Sequence, residues 1–330
     1  MTSIVFVSDI HLNLRKNYDF ELNRFMLLAD ELAKQKANLL VLGGDIFDKA
    51  YPNLDEIYAF YEFISKVKDS YQKILIISGN HEDLNKNETC FHKLPMLDYQ
   101  YIEFTKDGAF QADGVMLYFV SHHKIKEILD IEVSKYTNLL FSHIRANIGV
   151  VKAEAPLSKI SKHFDKVILG DIHIPYQPYK NIEYCGSPYT IQYEVPRETG
   201  YFYIELEKGN VNVEFKSLKH LPQKIRYDLS VKEYEELLPY LDKNNLYKIV
   251  LHDNVQSLAD LKIPQNVSIV FNSTMDNEEI EEQLVEIKRV GAIDVIDTLI
   301  KLAEYSWGLD EESFKEGQKL INEFKKGLYD

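Results

Sequence analysis

Cysteine is scarce in this chain. Two residues, Cys90 and Cys185, in 330 are too few for a disulfide framework, so a reducing cytoplasm is the expected compartment. Long apolar runs are missing as well. Nothing approaches the ~18 consecutive apolar residues of a membrane helix. No basic leader is expected, because Ile4 to Val7 runs straight into Asp9. Positive charge is in deficit: 38 Lys and Arg face 52 Asp and Glu, a net charge of −14. That balance argues against nonspecific nucleic-acid binding by the whole surface. It is compatible with a DNA substrate where bound metals or a partner subunit supply positive potential locally. Internal repeats and low-complexity segments are also lacking. The bulk composition, 45 % hydrophobic and 27 % charged, is that of a soluble globular protein. At 330 residues the chain is too long for one ordinary core, and two or three domains are expected.

What is present is a series of short polar motifs in the first 173 residues. They are Asp9-Ile10-His11, Gly44-Asp45-Ile46-Phe47-Asp48, Gly79-Asn80-His81-Glu82, a lone Ser142-His143, and Gly170-Asp171-Ile172-His173. Most follow a β-like apolar run directly: Ile4 to Val7, Leu39 to Leu42, Ile74 to Ile77, Leu139 to Phe141 and Val167 to Leu169. The pattern places Asp, His and Asn side chains along the C-terminal edge of a sheet, where α/β proteins form ligand sites. Carboxylates, imidazoles and one amide oxygen are the donors that a pair of divalent cations takes. Each motif has a plainer reading on its own. Asp-x-His is usually a surface loop, Gly-Asp and Gly-Asn are usually turns, and a single histidine is usually structural. Their order, each at a strand end, points instead to a two-metal hydrolase acting on a phosphate ester.

The first half alternates strand and helix. Strands are expected at Ser3 to Ser8, Leu39 to Gly43 and Lys73 to Ile77. Amphipathic helices are expected at Asp19 to Gln35, with Leu22, Phe25, Met26, Ala29 and Leu32 on one face, and at Leu54 to Val67. Parallel strands with right-handed crossovers follow from that order. Shorter strands come next: Tyr101 to Phe104, Phe110 to Ala112, Val115 to Val120, Leu139 to Phe141, Val167 to Leu169 and Glu183 to Tyr184. An antiparallel pair, Gly200 to Leu206 with Val211 to Phe215, turns at Lys208-Gly209. The mixture implies an α/β fold built as a two-sheet sandwich. Beyond Leu218 lie strand-like runs at Lys224 to Leu229, Tyr247 to Leu251 and Val267 to Phe271, with a helix-like run at Val231 to Leu241. From Asn277 the sequence is helical, over Glu278 to Val290, Ile293 to Ser306 and Glu311 to Gly327. Leu320, Ile321, Phe324 and Leu328 form a stripe on the last of these. The expected organisation is residues 1–217, 218–273 and 274–330.

The order of motifs resembles the calcineurin-like metallophosphoesterase superfamily, whose pattern is DxH, GDxxD/H, GNHD/E, H, GHxH. The resemblance covers roughly residues 3 to 207. It implies a first metal on Asp9, His11, Asp45 and His173, and a second on Asp45, Asn80, His143 and Asp171. Asp171 departs from the pattern, which has His there; a carboxylate still ligates manganese or magnesium and is a harder ligand than imidazole. Glu183-Tyr184-Cys185-Gly186-Ser187-Pro188, followed by the Gly200 to Leu206 strand, looks like the nuclease subunit of bacterial SbcCD-type and eukaryotic Mre-type DNA repair complexes. Manganese is the metal that resemblance favours, with magnesium the alternative. It also implies a capping domain that binds DNA, and C-terminal helices that bind an SMC-like coiled-coil ATPase. The assembly it implies is a homodimer within a heterotetramer, with no membrane. The chain is short for that family, as in bacteriophage versions, which would put it in a host-cell cytoplasm.

The implied function is a metal-dependent DNA exo/endonuclease of repair and recombination, hydrolysing phosphodiester bonds by a two-metal mechanism. His81, beside Asn80, is the candidate catalytic residue that protonates or stabilises the leaving 3′-oxygen. Asp48 is the second catalytic candidate, either orienting His81 or another histidine or else capping the following helix. Arg145 and Lys49 are candidate phosphate contacts. Two alternatives remain open: a small-molecule phosphodiesterase or phosphoprotein phosphatase on the same core, and a catalytically degenerate scaffold.

Overall fold

The computed structural model describes residues 1–105, 110–147, 152–252 and 261–271. Two six-stranded sheets face each other. The first runs in the order Asn210–Ser217, Gly200–Glu207, Thr2–Val7, Leu39–Gly43, Lys73–Ile77, Gln100–Tyr101. The second runs in the order Tyr176–Tyr179, Ile182–Tyr184, Lys166–Gly170, Thr137–His143, Val115–Val120, Phe110–Ala112. Thr2–Val7 is an inner strand. It pairs in parallel with Leu39–Gly43, Val7 opposite Leu42, and antiparallel with Gly200–Glu207, Phe6 opposite Phe202.

Side chains alternate across the pleat, so one strand feeds two cores. Ile4 and Phe6 point between the sheets, with Leu75, Ile77, Phe119, Phe141 and Ile168. Phe141 stacks on Phe6 at 5.6 Å and on Phe119 at 5.1 Å between ring centroids. Val5 and Val7 point the other way, into a core with Phe25, Leu28, Phe60 and Phe63, from the helices Tyr18–Ala33 and Leu54–Val67. The outer face of the second sheet packs Tyr118, Leu140 and Leu169 against Leu157, Ile160 and Phe164. Each fully buried aliphatic or aromatic side chain contributes about 1.5–3 kcal/mol. The layers are helix, sheet, sheet, helix: the two-sheet α/β sandwich the sequence implies.

Elements deviate from expectation at their ends. The first helix is Tyr18–Ala33, and the strand near residue 101 shrinks to Gln100–Tyr101. The helix Leu157–His163 and the strand Tyr176–Tyr179 carry too few apolar residues to stand out by period. Helix Leu54–Val67 is capped by Asn53. Its side chain accepts from Glu56 N at 2.9 Å while the Glu56 carboxylate accepts from Asn53 N at 2.8 Å, a capping box. Asp48 therefore does not cap this helix.

Lys224–Leu229, Leu246–Leu251 and Val267–Phe271 form a separate three-stranded sheet in sequence order, with the helix Val231–Leu237 between the first two. Met1–Val250 with Leu261–Val270 is one compact unit; the other comprises Leu251–Asp260 and Phe271–Asp330, of which residues 251, 252 and 271 are described. The helices expected beyond residue 277 lie outside the described residues. Cys90 and Cys185 are both free and buried. Among the described residues no helix is long and apolar enough to cross a membrane.

Candidate metal centre

Parallel strands bring their C-terminal ends to one edge, and both sheets do so at the same place. The first sheet delivers Asp9 and His11 after Thr2–Val7, Asp45 after Leu39–Gly43, and Asn80 and His81 after Lys73–Ile77. The second delivers His143, the last residue of Thr137–His143, and Asp171 and His173 after Lys166–Gly170, with Gly170 opposite His143. Three overlapping donor groups result, in each of which the donor atoms lie within 4.8 Å of one another: Asp9, His11 and His173; Asp9, Asp45 and His143; His11, Asp45 and His81.

The turns that aim these side chains are unusual. Asp9, His11, Asp45 and Asp171 all hold positive φ, at 56°, 50°, 51° and 94°. Left-handed backbone at non-glycine residues costs of order 1–3 kcal/mol each and clusters at functional sites. The loops are tied together by Asp9 N donating to Gly44 O at 3.0 Å and His11 N to Asp45 O at 2.9 Å. Glycine is required where these loops meet. At Gly44 (φ 94°) a Cβ would lie 2.5 Å from His143 Nδ1, and at Gly79 it would lie 2.1 Å from Asp45 Oδ1.

Glu82 is a structural residue that motif reading passes over. It is fully buried, and its carboxylate accepts from the backbone N–H of Gly79, Phe47 and Asp45 at 2.7, 2.8 and 2.9 Å. It locks the Asn80 loop to the Asp45 loop. Burial, reinforced by the Asp45 charge, pushes its carboxyl up to about 7 despite those donors.

The histidines are oriented from behind. His143 Nδ1 donates to Gly43 O at 2.9 Å, leaving Nε2, which is fully buried and has no hydrogen-bond partner, 3.3 Å from Asp45 Oδ2. His11 Nδ1 lies 3.4 Å from Asp48 Oδ1, and its Nε2 faces His173 Nε2 at 3.2 Å. His81 Nδ1 donates to the backbone O of Asp48 at 2.8 Å, so its Nε2 faces the centre, 4.0 Å from Asp45 Oδ2. The carbonyl partners of His143 and His81 are of the kind that fix the tautomer and aim of an imidazole, whereas His11 Nδ1 has Asp48 beside it without a hydrogen bond. Asp48 thus neighbours His11 with its side chain and holds His81 with its carbonyl, and Asn13 Nδ2 steadies its carboxylate at 2.8 Å. Lys49 is exposed and 3.7 Å from Asp48. His173 is braced from behind too: its carbonyl accepts from Ser187 N at 3.0 Å and Arg197 Nη1 at 2.6 Å. The Gly186-Ser187 step is therefore a support for the last motif.

Charges are pushed apart by the crowding. Burial acts to raise the Asp45 carboxyl, but His143 above all, then His11 and His81, hold it below the usual carboxylate range. Burial acts against charging His143; Asp45, Asp9 and Asp171 override it and raise the imidazole well above its ordinary value. His11 is raised against burial by Asp48, Asp45 and Asp9. His173 is lowered by burial, with His11 outweighing part of the pull of Asp9. Asp171 is raised by burial despite His143 and Arg145.

Divalent cations fit this arrangement. Asn80 Oδ1 and His143 Nε2 are buried without hydrogen-bond partners, and unsatisfied buried polar atoms are costly. Two imidazole nitrogens facing each other at 3.2 Å, ringed by carboxylates, form a donor set suited to manganese, magnesium or zinc. Asp171 stands at the margin. Its Oδ1 is 3.9 Å from His143 Nε2, and it lies outside the three donor groups. Arg145, a candidate phosphate contact, is committed to Asp171 by hydrogen bonds of 3.2 Å from Nε and from Nη2.

Comparison with known proteins agrees with this geometry. The model of the calcineurin-like phosphoesterase family matches residues 2–185. A "Probable exonuclease subunit 1" of Escherichia phage T5 is 29 % identical over 261 residues, covering 72 % of this chain and 75 % of that protein. The D-subunit of the nuclease SbcCD of Staphylococcus epidermidis is 25 % identical over 353 residues, covering 90 % of this chain and 92 % of that protein. A solved dimetal phosphatase from Danio rerio aligns with 66 % of this chain and 96 % of its own at 10 % identity, with a TM-score of 0.41.

Proposed function

The chain belongs to the calcineurin-like phosphoesterase family, and on that premise we propose that it is a metal-dependent DNA exo/endonuclease, the nuclease subunit of an SbcCD-type assembly. The observation that carries the reading is the joint ring of Asp9, His11, Asp45, Asn80, His143 and His173, built by both sheets. The proposed first cation takes Asp9, His11, Asp45 and His173. The second takes Asp45, Asn80, His143 and Asp171. Held there, divalent ions, manganese by preference, supply Lewis-acid stabilisation of phosphate charge and activation of a water. The chain's own residues do the rest. Gly43 holds His143 with its other ring nitrogen inward, and the Asp48 carboxylate sits beside His11 Nδ1 as a charge partner. His81, fixed through Nδ1, presents Nε2 to the leaving 3′-oxygen, to protonate or stabilise it.

A polymeric substrate is favoured over a small phosphodiester by what adjoins the centre. A cavity of about 550 Å³ reaches His11 and Asp48 and continues to Lys224, Arg226 and Lys248 of the three-stranded sheet. It is lined by five cations (those three with Lys16 and Arg24) and by Glu21 and Asp48; Arg24 and Lys224 pair with Glu21 and Arg226 with Asp228, so Lys16 and Lys248 carry most of the excess, in a chain whose net charge is −14. Local positive charge on an acidic protein is what a phosphate backbone needs. The relatives named as exonuclease and nuclease subunits support the same substrate.

The assembly is proposed on the same terms. The segment 274–330, with its stripe Leu320, Ile321, Phe324 and Leu328, docks on an SMC-like coiled-coil ATPase. Leu54 and Tyr58, four apart on one helix and 70 % and 72 % exposed with Tyr51 beside them at 72 %, offer an apolar surface for a homodimer. The test is cleavage of 3′-labelled duplex DNA with manganese or magnesium, with and without a coiled-coil ATPase. Metal-dependent cleavage is expected, stimulated by the partner with ATP. Hydrolysis of small phosphodiesters or phosphoproteins with no cleavage of DNA would overturn the reading in favour of the alternative substrates. Truncation after Trp307 is expected to abolish co-purification with the ATPase and leave cleavage of short single strands intact.

A further inference from the structure

One carboxylate of the centre is shared with a cation the protein itself provides. Arg145 lies two residues past His143, and Asp171 follows the neighbouring parallel strand. The guanidinium grips Asp171 with both faces of its fork: Nε to Oδ2 and Nη2 to Oδ1, each at 3.2 Å. The Asp171 side chain is 6 % exposed and that of Arg145 38 %. Oδ1 of the same carboxylate is 3.9 Å from His143 Nε2, and Asp171 N donates to Asp9 Oδ1 at 3.0 Å. The carboxylate therefore lies at the margin of the centre, beside His143 and Asp9, and is already paired.

The guanidinium is not free to swing away. Arg145 N donates to Glu154 Oε2 at 3.2 Å, and Nη1 is 3.6 Å from Glu154 Oε1. Glu154 N donates back to Arg145 O at 3.2 Å. Glu154 is held in turn by His122 Nε2 at 3.2 Å, and His122 Nδ1 by Asp83 at 2.6 Å. Asp83 lies three residues past Asn80. The chain Asp83, His122, Glu154, Arg145, Asp171 thus runs round His143 from one proposed ligand loop to another.

We propose that Arg145 is a positioning residue that sets the affinity of the second cation position, because its guanidinium holds the carboxylate of Asp171 that a divalent ion would take there. The inference rests on the two-cation reading given above. A bidentate arginine pair is a strong charge-assisted interaction, and a dication drawing on the same carboxylate both competes with it and is repelled by the fixed positive charge. Both effects weaken binding at that position and leave the position built on Asp9, His11 and His173 nearly untouched.

The test is calorimetric titration of the full chain, stripped with EDTA, with manganese. Arg145→Gln is expected to tighten the weaker of two ions about tenfold, with the stronger ion little changed. In an Asp171→Asn background the same substitution is expected to change affinity much less, since the contested carboxylate is gone. Arg145→Lys keeps the charge and loses the fork, and is expected to fall between; it serves if the Gln variant does not melt like the wild type. A wild type with one ion and an Arg145→Gln variant with two would support the inference as well. Unchanged or weaker manganese binding in folded Arg145→Gln, or one ion in both proteins, would overturn it. Absence of any manganese binding in the wild type would instead defeat the two-cation reading beneath it.

Discussion

His11 and His173, delivered by different sheets, face each other through their Nε2 atoms at 3.2 Å. Two imidazoles meet this way when one proton is shared between them or when one cation replaces that proton. The contact closes the two sheets over a common point, with Asp9 beside both rings.

A cation bound there links the sheets and acts only on the folded chain. At manganese a hundredfold above its dissociation constant the gain is about 2.7 kcal/mol, roughly 5–10 °C in Tm for a unit of this size. Scanning calorimetry with manganese against EDTA should show it. His173→Ala should lose most of that increment while melting like the wild type in EDTA.

His81→Ala should lower DNA cleavage by about 10²–10⁴-fold and leave the manganese content nearly unchanged. The imidazole is held by the Asp48 carbonyl with its side chain 35 % exposed, as suits a group that meets substrate. Its Nε2 also lies close enough to Asp45 and His11 to share an ion, so metal analysis decides between the roles. Loss of an ion together with activity would make His81 a ligand.

The basic cavity should be read by salt. Replacing Lys16, Arg226 and Lys248 with Gln should weaken DNA binding. The dependence of log K on log salt should become shallower by about one unit for each phosphate no longer neutralised. Cleavage of a dinucleotide-sized phosphodiester should be unaffected. An unchanged salt slope would place the DNA elsewhere.

The pair of His122 and Glu154 gives a stability signature in pH. His122 is raised from 6.5 to about 9: burial opposes this, and Asp83 and Glu154 prevail. Its contribution is complete below pH 6.5 and fades as pH rises through about 9. Glu154 is lowered from 4.5 to about 2, chiefly by the His122 hydrogen bond. Its contribution is complete above pH 4.5 and is lost as pH falls through about 2. Glu154→Gln should therefore cost most between pH 4.5 and 6.5. About 1 kcal/mol is expected there, the partial exposure of the pair being allowed for, and much less at pH 10. Denaturant melts in EDTA across that range check the shape, and a cost that does not vary with pH would rule out the ionic account.

That these polar residues converge is legible because each ends or follows a strand, and a polar residue after a buried apolar run has few places to go but the sheet edge. The parallel order followed from alternation of strand and helix for the same reason. Asp48 was harder. Its spacing allowed a capping role, and the Asn53 to Glu56 box that takes that role became plain only with the turn in view. Arg145 is legible only as a candidate phosphate contact, and its pairing with Asp171, like the roles of Glu154, His122 and Asp83, has no local signal. Their contacts span 26, 32 and 39 residues, and nothing in the spacing of four charged residues predicts that a fold will string them together. Glu82 sat inside a recognised motif, yet its three backbone donors come from two loops whose approach only the sheet determines.

The place of Thr2–Val7 between Leu39–Gly43 and Gly200–Glu207 bears on synthesis. Translated in order, Thr2–Val7 keeps an open edge until Gly200–Glu207 has followed it. His143, Asp171 and His173 arrive late as well. Domains fold as units as they are made, so a chain that stops short of residue 143 lacks three of the seven residues proposed as ligands. A chain that stops short of His173 therefore lacks the complete set, and the proposed centre assembles only after Lys166–Gly170 and the turn beyond it have been made.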